Sequence, residues 1–259
     1  MGNKRERTIF TRLIKKLFDR IYPFTFIFFL FTQISFAQVN SYPFEFFTAH
    51  IEGTKLSIIT PEQNLIYEKD FVHPAVYTSD LDEDGINELL IVDSILSDNR
   101  INFNLFIYNT LDSFYLADSI SSGSYLPYET VSEEVSGIII VSGNPLFDLL
   151  NEGVEEYFIP VNCWKYEDAA LILMNADIYD IFISENEFLI DYIDDIYLEY
   201  GEECSTSLKL KSAIASAYAN YINAGEESVA SQFLKNYYLC EDFEEFRNKI
   251  SEMLNTSFE

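Results

Sequence analysis

The chain reads as an α+β protein, an N-terminal antiparallel β region followed by a C-terminal helical region, on three observations. Ile101, Phe103, Leu105 and Ile107 alternate with Asn102, Asn104, Phe106 and Tyr108, the period of a strand with one face toward a core. After Asp168 the apolar period changes to about 3.6, with Ile178, Ile181, Phe182, Leu189, Tyr192, Ile193, Ile196 and Tyr197 on one helical face. Clusters of Gly, Pro, Asn, Asp and Ser punctuate the first half at short intervals, as turns between strands do.

Before the strands comes a leader. Lys4, Arg5, Arg7, Arg12, Lys15, Lys16 and Arg20 face only Glu6 and Asp19 in the first twenty residues, and Pro23 to Ile34 is densely apolar. Ser35-Phe36-Ala37 before Gln38 fits the small-x-small cleavage rule, so residues 1–37 read as a secretory signal peptide and the protein as secreted, periplasmic or cell-surface. The alternative is an uncleaved anchor, but Ile21 to Ala37 spans only seventeen residues, the short limit for a bilayer-crossing helix. No Cys follows the apolar core directly, which argues against a lipoprotein anchor. Cleavage removes seven of the sixteen Lys and Arg and two of the forty-three Asp and Glu, leaving nine against forty-one and a net charge of −32. Such a field repels phosphate backbones and anionic lipid, so neither a nucleic-acid partner nor membrane insertion after cleavage is expected.

The β region runs from 41 to 166. Tyr42 to Ile51, the turn Glu52-Gly53 and Lys55 to Ile59 form a hairpin signal; Pro61 to Asn64 turn the chain into Leu65 to Lys69. Leu89-Leu90-Ile91-Val92 is a short continuous apolar run that suits a buried strand. Ser97 to Arg100 turn into the alternating strand Ile101–Tyr108, and Phe114 to Ser119 pair back on it. Val135 to Val141 and Glu155 to Pro160 are further strand candidates, and Ser121 to Ser132 reads as a long loop.

Between strands lies the one stretch with recognisable chemistry, Asp80 to Val92. Asp80, Asp82 and Asp84 alternate, so their carboxylates can converge on a curved loop, and Gly85 permits the sharp turn. The Ile86 carbonyl and the Glu88 carboxylate are placed to complete an oxygen shell of the kind Ca²⁺ prefers. An acidic solvated turn is the plainer alternative, but four carboxylates in nine residues repel one another unless a cation neutralises them. An EF-hand is excluded, because the position that must hold a bidentate Glu is Ile91.

Strand, D-x-D-x-D-G-x-x-E, then apolar strand resembles the calcium loops of FG-GAP repeats, the blades of integrin-type β-propellers. The resemblance covers Pro74 to Asp93, in one copy, and implies Asp80, Asp82, Asp84 and Glu88 as side-chain ligands with the main-chain oxygen of Ile86. Residues 41–166 are too few for a propeller of four or more four-stranded blades. One or two propeller-like sheets packed face to face are expected instead.

The helical region runs from 168 to 259. Leu210, Ile214, Ala217, Tyr218 and Tyr221 mark one helix, ended by Asn223-Ala224-Gly225; Val229, Phe233, Leu234 and Tyr237 mark the next, and Phe243, Phe246, Ile250 and Met253 the last. Two helices with so short a link run antiparallel, which brings Cys204 near Cys240 and predicts a disulfide there, contributing about 3–4 kcal/mol. Cys163 then reads as a buried small side chain, although its pairing with either of the others stays open. Asp191, Asp194, Asp195 and Glu199 read as a solvated helix face.

Catalytic signals are sparse. His50 and His73, the only histidines, stand in no zinc or triad pattern, and no Gly-rich phosphate loop is present. Two readings follow: an exported calcium-stabilised module with a structural or protein- or glycan-binding role, or an envelope-polymer hydrolase or hydrolase inhibitor with a cleft between the halves. The Phe-, Ile-, Asn- and Tyr-rich composition and the leader ending Phe36-Ala37-Gln38 resemble exported proteins of the Bacteroidetes group.

Overall fold

A computed structural model describes residues 40–44, 46–97, 100–110, 113–151, 157–200 and 208–256. The expected leader, residues 1–37, lies outside them, as does Cys204 of the expected Cys204–Cys240 bridge.

The strands form three four-stranded antiparallel sheets, each from chain-consecutive strands, where one or two sheets were expected. The first comprises β1 (Asn40–Pro43), β2 (Thr48–Glu52), β3 (Lys55–Ile59) and β4 (Leu65–Asp70); the second β5 (Pro74–Ser79), β6 (Glu88–Ser97), β7 (Arg100–Asn109) and β8 (Tyr115–Gly123). The third comprises β9 (Tyr128–Val131), β10 (Ile138–Gly143), β11 (Val161–Glu167) and β12 (Ala170–Leu173). Four helices follow: α1 (Asp180–Tyr200), α2 (Leu208–Asn223), α3 (Glu227–Tyr237) and α4 (Phe243–Thr256). Among the described residues no helix is long and apolar enough to cross a membrane.

The strand period of two sorts side chains between successive layers. Ala49, Ile51, Leu56 and Ile58 of the first sheet pack on Leu89, Ile91 and Tyr108 of the second. On the opposite face of the second sheet, Leu90, Val92, Leu105 and Ile107 meet Ile140 and Tyr166 of the third. Cover on both faces explains why Leu89 to Val92 of β6 form an unbroken apolar run rather than an alternating one. The far face of the third sheet, through Ile139, Val141, Val161 and Cys163, receives Ile178, Ile181 and Phe182. Behind it, Leu189, Ile193, Leu210, Ile214, Phe233 and Ile250 form the helical core. Cys163 is buried with a free thiol in the layer between sheet and helix.

Three segments depart from expectation. The long loop expected at Ser121–Ser132 contains the end of β8 and all of β9. The strand expected at Glu155–Pro160 lies partly outside the described residues, and Tyr157 to Pro160 is not strand; the pairing segment is β11, just beyond. Ala170–Leu173, inside the region expected to be helical, pairs with β11 as an edge strand. The end of α2 is as expected: Gly225 adopts φ +76°, and Glu226 N–H donates to Tyr221 O at 2.8 Å, a Schellman-type stop.

Sheet and helices are joined by buried asparagines. β12 pairs only with the second half of β11, from Trp164 onward, so the first half lacks a strand neighbour on that side. Asn220 Oδ1 accepts from Val161 N–H at 3.0 Å, and Asn223 Nδ2 donates to Val161 O at 3.0 Å. The two side chains thus stand in for a missing strand, as buried backbone groups require. Asn220 Nδ2 also donates to Asn186 Oδ1, and Asn186 Nδ2 to Ala217 O, which ties α1 to α2.

Gly143, at the end of β10, sits in the tightest backbone approach on this side. A Cβ there would lie 2.5 Å from Ser122 O, Tyr125 Cβ and Ile159 Cδ1. Gly143→Ala is therefore expected to cost about 1–3 kcal/mol, read as a lower urea midpoint with unchanged slope.

Candidate metal centre

The loop joining β5 to β6 is held open at its mouth by strand pairing, Ser79 opposite Glu88. Within it the backbone turns through Glu83 at φ +60° and Gly85 at φ +90°, the left-handed region in which a side chain is disfavoured. These turns bring ligand oxygens of Asp80, Asp82 and Glu88 within 4.8 Å of one another. That spread suits one cation, because calcium–oxygen distances of about 2.3–2.6 Å put opposed ligands roughly 5 Å apart.

The loop's own N–H groups satisfy part of the acidic set. Glu88 Oε2 accepts from Leu81 N–H at 3.0 Å, and Asp80 Oδ2 from Gly85 N–H at 3.0 Å. Asp84 Oδ1 accepts from Ile86 N–H at 2.7 Å. Of the five expected ligand residues, then, the structure gathers Asp80, Asp82 and Glu88. Asp84 and Ile86 are paired with each other on the turn. Asp80 Oδ1 is buried and has no hydrogen-bond partner, a state that an arriving cation would relieve.

Charge accumulates where water is scarce. Glu88 is 2 % exposed, and burial, with the neighbouring Asp82 and Asp84 charges, pushes its carboxyl up to about 7 against the Leu81 N–H, which favours the charged form. Burial and the Asp84 and Asp80 charges also raise Asp82. In the metal-free protein Glu88 binds its proton more tightly when folded than when unfolded, so its contribution to stability is complete below about pH 4.5 and falls as pH rises toward 7. Melting in chelator is expected to show a loss on the order of 2–3 kcal/mol across that window. Glu88→Gln should flatten that part of the slope.

The loop abuts the third sheet. The position a Cβ would take on Gly137 is 3.9 Å from Glu83 Oε2 and 3.6 Å from Lys165 Cε, and Leu81 packs in one cluster with Ile140 and Tyr166. Next to Asp80, Ser79 Oγ donates to Glu129 Oε2 of β9 at 2.7 Å. None of these partners was visible from loop spacing, since each lies some fifty residues or more along the chain. Asp191, Asp194 and Asp195 are exposed on α1, as expected of a solvated face. Comparison of the chain with protein-family models, curated proteins and solved structures finds no match.

Proposed function

We propose that the protein is an exported, calcium-stabilised module with a structural or protein- or glycan-binding role, in which the ion secures the β5–β6 corner of the sheet stack. The observation that carries this reading is the convergence of Asp80, Asp82 and Glu88 with one buried oxygen left unpaired. Three carboxylates so placed favour a hard divalent ion, and the strand–loop–strand setting supports calcium with the main-chain oxygen of Ile86 and the Asp84 carboxylate joining once it is bound. Four-stranded meanders, the unit of a propeller blade, agree with the likeness of this loop to FG-GAP calcium loops.

The leader supports a location outside the cytoplasm, and a free, buried Cys163 leaves Cys204 and Cys240 as the pair for a disulfide in an oxidising compartment. The hydrolase alternative needs a cleft between sheets and helices; that junction is filled by the asparagine contacts and by Ile178, Ile181 and Phe182. Calcium loading followed by metal analysis is expected to recover about one equivalent per chain, the stoichiometry of a single loop. Pull-downs from the native envelope with and without chelator are expected to differ in the protein or glycan recovered. Absence of bound calcium would end this reading.

A further inference from the structure

Tyr166 lies on β11, across the seam from the loop, and is 1 % exposed among Leu81, Leu90, Val92, Leu105 and Ile107. Leu81 links this ring to the acidic set, since it packs in the same cluster while its N–H holds Glu88 Oε2. The Tyr166 hydroxyl is buried and donates to no acceptor, its oxygen facing only the Asn109 side chain, a condition that native proteins rarely leave unrelieved. Burial first, and then the negative charge of Glu88, with a smaller part from Asp82, hold its proton on; the Asn109 side chain works in the other direction. A donor without an acceptor thus lies in the cluster that holds Leu81, within reach of the charge of Glu88 and Asp82, and Asp80 Oδ1 of the same loop is unpaired as well.

We propose that Tyr166 belongs to the calcium site, its hydroxyl hydrogen-bonded to a water held by the ion. Calcium takes about six to eight oxygens, waters among them, so the loop carboxylates leave room for such a water. The ion is then gripped by the second sheet through carboxylates and by the third sheet through this phenol. Its binding tightens the seam between the two sheets as well as the loop itself.

This inference rests on the calcium reading of the loop, and calorimetric titration of calcium into chelator-treated protein separates the two. Tyr166→Phe keeps the ring and removes only the hydroxyl. It is expected to raise the calcium Kd about tenfold, as loss of an outer-shell partner does, while the calcium-free melting temperature stays level or rises. An unchanged Kd in the variant, with calcium still bound by the unmodified protein, overturns the role of Tyr166 alone. A lower calcium-free melting temperature with an unchanged Kd assigns the hydroxyl a purely structural part and overturns it too. No binding by the unmodified protein overturns both readings. If the variant does not fold, terbium in the unmodified protein provides the second measurement: tyrosine-sensitised emission is expected, and its absence overturns the proposal.

Discussion

Saturating calcium is expected to raise the melting temperature of chelator-treated protein by about 5–10 °C, and Asp82→Ala to abolish that rise. At a hundredfold excess over Kd an ion that binds only the folded state contributes about 2.7 kcal/mol, and a chain of this size gains about 2–4 °C per kcal/mol. Asp82 suits the test because its side chain is exposed and its contact with the loop backbone, to Asp84 N–H at 3.4 Å, is long. Removing it deletes one ligand and relieves the repulsion that raises its own carboxyl, so the calcium-free protein should melt at the same temperature or slightly higher. Asp84→Ala should also lose the calcium effect, but with a lower calcium-free melting temperature, because Asp84 holds Ile86 N–H at 2.7 Å. Scanning fluorimetry with calcium and with chelator reads both. An equal rise in Asp82→Ala and in the unmodified protein would locate the stabilising ion elsewhere.

Asn220→Ala is expected to destabilise the protein by about 2–5 kcal/mol. The change strands two buried groups, Val161 N–H and Asn186 Oδ1, that Asn220 now satisfies, at about 1–3 kcal/mol each. Its position between third sheet and helices keeps both groups away from bulk water, for Asn220, Asn186 and Val161 are all buried. Asn220→Asp separates the two contacts: it keeps the acceptor for Val161 and loses the donor to Asn186, and adds a buried charge. Denaturant unfolding is expected to rank both variants well below the unmodified protein. A loss under 1 kcal/mol for the alanine would show that the network is not what fastens the layers.

The parts legible in the sequence are those whose neighbours are close along the chain or whose burial is uniform. Leu89 to Val92 announces itself because both faces of β6 are covered, and Ile101 to Tyr108 because β7 alternates cleanly. The acidic loop is local, so its spacing alone pointed to Asp80, Asp82 and Glu88. Of the third sheet only β10, expected at Val135–Val141 and found at Ile138–Gly143, was legible; the rest was hidden for the opposite reason. β9 is a four-residue edge strand following Pro127, and β11, packed on both faces, interrupts each with a polar residue, Asn162 on the side of Trp164 and Tyr166 and Lys165 on the side of Val161 and Cys163. Asn162 is satisfied by Asn175 Nδ2 at 3.0 Å, a partner that composition cannot reveal. Tyr166 was missed likewise, because it and the loop meet only through tertiary packing.

Because every sheet is assembled from successive strands, most pairings are between near neighbours in sequence, which shortens the search for native partners. A chain threading outward from its N-terminus can finish one layer before the following one exists, each completed surface serving as the template on which the next condenses, with the helices sealing the growing end last. Interruption midway would leave the apolar side of the newest layer bare, so aggregation is the hazard that falls upon partial products rather than upon the finished molecule.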